Sequence, residues 1–172
     1  MSSKHIITEK GQVILAEDVG EEDMAVLARE FYDDIGGADF FARLALRFYT
    51  LVLSDPVLAP LFADDDAQGH AERLAAHFDR FYGIPDLSEG WSTRFVRVHT
   101  LSVFTHEHRR NWLENMRKAG CDVAAPEPWF SDLMATLTNA TGVVLGISRG
   151  AAVARGIPFD RQGHRITEEP PT

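Results

Sequence analysis

Residues 67–82 read AQGHAERLAAHFDRFY, and this stretch has a clear helical periodicity. Its pattern is set by His70 and the residues that share a helical face with it, at +4, +7, +8 and +11: Leu74, His77, Phe78 and Phe81. The stretch therefore predicts a helix with an apolar face and a histidine near its beginning. The same pattern is found in ordinary core helices with a histidine at the boundary, so residues elsewhere must distinguish a site from a core.

A second histidine lies on a short apolar segment further along the chain. His99 follows Phe95 by four residues, which makes the two side chains neighbours on one helical face, and Val98 directly precedes it. A neutral imidazole is a good iron ligand, and haem iron is commonly held by one proximal histidine. A lone histidine is weak support, and the order of residues around both histidines carries the interpretation.

Apolar residues recur at helical spacing along most of the chain, and glycine and proline mark the ends of the segments. The predicted helices cover, in order, residues 21–34, 38–53, 67–82, 92–100, 106–119 and 128–148 or slightly beyond, with a helical turn over 56–62. Two of them have predicted N-caps, which are the Asp64-Asp65-Asp66 run and Thr105. A short hairpin is predicted within residues 5–15. The fold class is therefore all-α, without a parallel-sheet pattern.

Length and composition favour one soluble domain of 172 residues, predicted at 21–149 between an N-terminal extension, 1–20, and a tail, 150–172. The net charge of −9 disfavours nucleic acid as a partner. A single cysteine, Cys121, cannot form an internal disulfide and fits a cytoplasmic location. No apolar run is long enough to predict a membrane span or a signal peptide, so no membrane partner is expected.

The ordered motifs resemble those of the truncated haemoglobins over about residues 31–145. The matching features are the Gly36-Gly37 break, Phe48-Tyr49 followed by Asp55-Pro56, then Leu61-Phe62, Gly83-Ile84-Pro85, and His99 with Trp112 thirteen residues later. The last spacing is similar to group II of the family, whereas a distal histidine at His70 is similar to group III. The resemblance implies a two-over-two helical sandwich around haem b.

The resemblance also implies a role for each candidate residue. His99 would be the iron ligand, and the apolar walls of the haem pocket would be Phe62, Leu74, Phe78, Phe95, Val98 and Trp112. Arg73, expected on a different face from His70, would bind a haem propionate, with an ordinary solvated arginine as the alternative. Three hydrogen-bond donors would converge on the distal side: Tyr49, His70 and Trp112.

The implied function is tight binding and slow release of dioxygen or another small diatomic ligand at a five-coordinate iron. A haem enzyme, either a nitric oxide dioxygenase or a peroxidase-like protein served by a redox partner, is the alternative, and no catalytic residue is assigned. A haem-free interaction domain is a third hypothesis, and the oligomeric state stays open. His106 and His108 point to different sides of a helix and are expected to be surface residues rather than a metal site.

Overall fold

The computed structural model describes residues 5–7, 13–15, 30, 32–62, 66–79 and 99–159. Strands β1 (His5–Ile7) and β2 (Val13–Leu15) pair in antiparallel register, which confirms the predicted hairpin. Most of the first predicted helix, and the segment 92–98, lie outside the described residues. The part of the chain described after the hairpin is helical.

Helix α1 spans Gly37–Ser54 and is the central element of the fold. Gly36 precedes it with a φ of 105°, a left-handed conformation that glycine adopts without steric cost, so the predicted glycine break is confirmed. The helix ends at Asp55, as expected for a residue before proline, and a 3₁₀ turn (Ala59–Leu61) follows.

Helix α2 spans Ala67–Phe78 and begins at its predicted cap, where the Asp66 carboxylate accepts a hydrogen bond from the Gly69 N–H at 2.8 Å. The predicted end at residue 82 lies outside the described residues. Helices α3 (His106–Asp122) and α4 (Trp129–Ala154) complete the set, and α4 continues past Ser148 into the segment expected to begin the tail.

The core forms where α1 packs against α2, α3 and the beginning of α4. Phe41 is fully buried at its centre, with its ring 5.1 Å from that of Phe78 and 5.7 Å from that of Trp129. Part of the contact between α1 and α2 is made by small residues: Ala45, Ala71 and Ala75. Their short side chains let the two helices approach closely, which brings Tyr49 of α1 next to the beginning of α2.

Helix α4 is long and apolar enough to cross a membrane by length and composition alone, as core helices of globular proteins also are. Its first two turns are core elements, because Trp129, Phe130 and Leu133 are buried against the other helices. A Cβ at Gly120 of α3 would lie 2.0 Å from the Phe130 ring, so the closest approach of α3 to Phe130 requires glycine. The burial of these residues places the beginning of α4 in the globular fold.

Replacing Phe41 by alanine is expected to lower the free energy of unfolding by about 3–5 kcal/mol, because the change leaves a cavity among rings that cannot fully collapse. Equilibrium denaturation in urea measures it. Leu46, on the exposed side of the same helix, is the matched control, and Leu46→Ala should change stability by no more than about 0.5 kcal/mol. Similar losses in the two variants would contradict the assigned core.

Candidate haem site

Three predicted site residues meet where the ends of α1 and of the 3₁₀ turn approach the beginning of α2. The Tyr49 ring stacks on the His70 imidazole with centroids 5.2 Å apart, and Phe62 contacts both, at 5.8 Å from Tyr49 and 4.9 Å from His70. The close packing of α1 on α2 produces this arrangement. The structure therefore unites two of the three predicted distal donors with one predicted apolar wall.

Arg73 lies one turn after His70, and its guanidinium approaches the His70 Nδ1 atom at 2.7 Å. The expectation that Arg73 occupies a different face is wrong, because residues three apart on a helix are neighbours and this side chain bends towards its neighbour. Arginine has only donors, so Nδ1 must accept the hydrogen bond and Nε2 carries the proton of a neutral ring. Arg73 thereby fixes the His70 tautomer with Nε2 as a donor.

The Tyr49 hydroxyl is held in its neutral, donating form. Burial raises the pKa of Tyr49 above its usual value of 10.0, and the positive charge of Arg73 only partly opposes the shift. A phenol that stays protonated keeps its O–H as a hydrogen-bond donor over the physiological pH range. Tyr49 and His70 are therefore two donors in direct contact.

The other predicted wall and distal residues occupy different surroundings. Trp112 of α3 is half-buried and packs edge-on against Phe48 at 4.8 Å, so Phe48 connects it to Tyr49, whose ring is 5.1 Å from that of Phe48. Leu74 is half-buried beside the core. Phe78 is 3% exposed and packs on Phe41, so it belongs to the core that lies beside the site.

His99 belongs to a helical stretch, residues 99–101, that precedes α3. Its half-buried imidazole stacks on the Phe104 ring, with centroids 5.4 Å apart and planes inclined by 28°. Sequence reasoning missed Phe104, because it follows His99 across a helix end, where helical spacing no longer predicts neighbours. The predicted wall residues Phe95 and Val98 lie outside the described residues.

Asp55 is a further structural residue that the sequence interpretation treated only as a helix stop. Its carboxylate accepts hydrogen bonds from the Val57 N–H at 2.8 Å and from the side-chain amides of Asn111 and Asn115, the latter at 2.9 Å. Burial by itself would raise the pKa of Asp55, but these hydrogen bonds, with one from Leu58, outweigh it and lower the pKa. Asp55 ties the end of α1 to α3, which carries Trp112.

His108 is half-buried and not the surface residue that was expected, whereas His106 is exposed as predicted. Thr105 is confirmed as the N-cap of α3, and His108 completes a capping box: its Nδ1 accepts from the Thr105 N–H at 3.1 Å, and its own N–H donates to the Thr105 hydroxyl at 3.2 Å. Within the described part of the chain, no three metal-ligating side chains cluster.

Acidification is expected to weaken this cap. Burial lowers the pKa of His108 below its usual 6.5, against the opposing charges of Glu107 and Asp55, and protonation removes the Nδ1 acceptor. A histidine with a depressed folded pKa stabilises the fold fully above about pH 6.5, and that contribution is lost as the pH falls through this value towards the folded pKa.

Urea denaturation at about pH 7.5 and about pH 5.5 measures the effect. Glutamine at the same capping position keeps an acceptor that does not titrate, so His108→Gln should reduce the loss of stability between the two pH values. His106→Gln, at the exposed neighbouring histidine, is the matched control and should leave the loss in place. An unchanged pH dependence in His108→Gln would remove His108 from the explanation.

The residues present fit a flat apolar cofactor. Several large apolar side chains near the site are only partly buried by protein, although they pack beside a buried core: Leu61, Phe62, Leu74 and Trp112. Phe104, which stacks on His99, is also only partly buried. An apolar disc would cover such surfaces, and His99 supplies an imidazole of the kind that binds haem iron. Fold and donor chemistry together define a small helical haem protein of the globin class.

Comparison with known families places the chain more narrowly. The model of the bacterial-like globin family matches residues 30–144, which is most of the helical region, and the chain belongs to this family of truncated haemoglobins. The truncated globin fold that the motifs resembled is thus confirmed, and haem iron is the cofactor of the family.

Solved structures agree with this assignment. A thermostable haemoglobin from the actinobacterium Thermobifida fusca is 32% identical, with a TM-score of 0.58, over 67% of this chain and 95% of that chain. A haemoglobin from the thermophilic phototrophic bacterium Chloroflexus aurantiacus is 28% identical, with a TM-score of 0.57, over 66% and 95%. The group II truncated haemoglobin from Bacillus anthracis shares the fold at 22% identity, with a TM-score of 0.56, over 66% and 88%.

Proposed function

We propose that the protein binds dioxygen, or another small diatomic ligand, at a haem iron held by His99, and that it releases this ligand slowly. The observation that carries the proposal is the contact between Tyr49 and His70, two hydrogen-bond donors whose rings stack at 5.2 Å beside Phe62. Haem, when bound, supplies the iron coordination position that such a ligand occupies.

In this proposal His99 is the proximal ligand, whose neutral imidazole binds the iron. The Phe104 ring against one face of this imidazole restricts its rotation, and an imidazole held in one orientation loses less conformational entropy when it binds a metal. His99 is only half-buried by protein, so a cofactor could reach it. We therefore propose His99 as the residue that binds the haem iron.

The contribution of the distal residues is hydrogen bonding to a ligand that carries partial negative charge. The Tyr49 hydroxyl and the His70 Nε2–H are both donors, the second because Arg73 occupies Nδ1. Hydrogen bonds to charged groups contribute roughly 1.5–3 kcal/mol, and they are stronger where water is excluded. We include Trp112 as a third donor in this proposal. Such a network favours retention of a ligand over its delivery.

A second candidate function is reduction of peroxide, and the contact between His70 and Arg73 favours it. A guanidinium that stabilises developing negative charge and an imidazole Nε2–H that donates a hydrogen bond to a peroxide oxygen both assist cleavage of the oxygen–oxygen bond. This function needs an electron donor, so it includes a redox partner. The binding function requires neither catalytic turnover nor an electron donor.

Turnover separates the two functions. With hydrogen peroxide and a reducing dye, or with nitric oxide added to the oxygenated protein, binding alone predicts steady-state rates close to those of free haem. An enzyme predicts much faster rates that fall in Arg73→Met. Arg110→Met is the matched control, because Arg110 is exposed on α3 and its ion pair is with Glu107 of the same helix. Fast turnover that depends on Arg73 would replace the binding function by the enzymatic one.

A further inference from the structure

The C-terminal half of α4 contacts the segment that follows His99, and it does so beyond the residues that the family model matches. Ser148 and Arg155 lie after residue 144, where that match ends. The side chains of both residues make hydrogen bonds to backbone groups of residues 100–104, which lie between His99 and α3. The family assignment by itself does not account for these contacts.

Ser148 closes the turn between the two helical segments with one hydroxyl group. Its Oγ donates to the Ser102 carbonyl at 2.6 Å and accepts from the Phe104 N–H at 2.9 Å. The residue is fully buried, so its hydroxyl is shielded from bulk water. A buried serine that satisfies two backbone groups of another segment fixes the path of that segment.

Arg155 acts on the end of the helical stretch itself. Its guanidinium donates to the carbonyl of Thr100 and, at 3.4 Å, to that of Leu101. The last carbonyls of a helix have no partner within the helix, and a cation there also interacts favourably with the helix dipole. Arg155 therefore holds the residues directly after His99.

These contacts converge on the His99 imidazole. The Phe104 ring stacks on this imidazole, and the Phe104 N–H donates a hydrogen bond to Ser148. The carbonyl of Thr100, directly after His99, accepts a hydrogen bond from Arg155. We infer that Ser148 and Arg155 are positioning residues that orient the proximal imidazole, so that the end of α4 is part of the haem site. The inference rests on the proposed function, in which His99 binds the iron.

The test compares Ser148→Ala and Arg155→Gln in the haem-loaded protein. Resonance Raman spectroscopy of the ferrous form measures the iron–imidazole stretching band, which responds to the orientation of the ligand. Both variants should shift or broaden this band, and haem transfer to an excess of apomyoglobin should be at least about tenfold faster, as when an outer-shell partner of a metal ligand is lost. Hydrogen exchange at the Phe104 amide should be at least about tenfold faster in Ser148→Ala.

Thr138→Ala is the matched control, because the Thr138 hydroxyl is part-buried in the same helix but bonds only to the Met134 carbonyl of that helix. It should leave the band and haem transfer unchanged. If Ser148→Ala does not fold, Arg155→Gln at an exposed position carries the test. If the band is unchanged in Ser148→Ala and Arg155→Gln but is lost in His99→Gly, this inference alone is overturned. Lower melting temperatures of the first two variants would not rescue it. A band that survives His99→Gly overturns the proposed function as well.

Discussion

His99→Gly is expected to lose the iron–imidazole bond, and with it most of the affinity for haem. Loss of an outer-shell partner of a metal ligand already costs roughly 10- to 100-fold in affinity, and loss of the ligand should cost more. The optical spectrum of the reduced protein should lose the features of an imidazole-bound iron. A haemin titration of the apoprotein gives the change in affinity.

Added imidazole should restore the spectrum of His99→Gly, because glycine leaves a cavity where the side chain was. The matched control is His106→Gly at the exposed first residue of α3, which should bind haem as the unmodified protein does. The contrary result would be that the spectrum of His99→Gly is unchanged, whereas replacement of another histidine removes the features of imidazole-bound iron. That result would assign the iron to a different histidine.

Tyr49→Phe is expected to increase the rate of dioxygen dissociation by about tenfold to about 100-fold, the range that corresponds to a charge-assisted hydrogen bond of roughly 1.5–3 kcal/mol. The change removes only the hydroxyl, so the ring contacts with His70, Phe62 and Phe48 should remain. Stopped-flow displacement of dioxygen by carbon monoxide measures the rate.

Tyr32→Phe is the matched control, because the Tyr32 hydroxyl donates to Asp79 and its ring stacks on Phe41 in the core. This variant should lower stability without changing the dissociation rate. Combining Tyr49→Phe with His70→Leu tests whether both donors act on the same ligand, since residues in one network give non-additive effects. Equal dissociation rates in Tyr49→Phe and the unmodified protein would remove Tyr49 from the network.

The helices and their caps could be predicted from sequence because their causes are local. The spacing of apolar residues in 67–82 predicted α2, and the short polar side chains of Asp66 and Thr105 predicted the beginnings of α2 and α3. The glycine break before α1 was predictable for the same reason, because only glycine adopts the backbone conformation at Gly36 without strain.

Contacts that depend on packing could not be predicted in this way. The stacking of Tyr49 on His70 follows from the close approach of α1 and α2 through alanines, and Phe78 turns into the core because Phe41 lies opposite it. Ser148 reaches residues more than forty positions earlier in the chain, and no local pattern marks such a pair.

Two local features were also missed, for different reasons. The contact of Arg73 with His70 depends on the rotamer of a long side chain, which spacing does not specify. The capping role of His108 was hidden because glutamate and glutamine, rather than histidine, are the usual partners of a capping threonine. In both cases a polar side chain makes a hydrogen bond to a residue three positions away, and the sequence pattern did not predict that contact.

One haem, in the function proposed above, binds between these helices through the His99 imidazole. Titration of the purified apoprotein with haemin, followed at the Soret band and repeated with His99→Gly, tests it most directly. We expect a band that saturates at about one equivalent and, after reduction, the spectrum of an imidazole-bound iron, and we expect both to be lost in the variant. A spectrum no different from that of free haemin, or one that is identical in the two proteins, would contradict it.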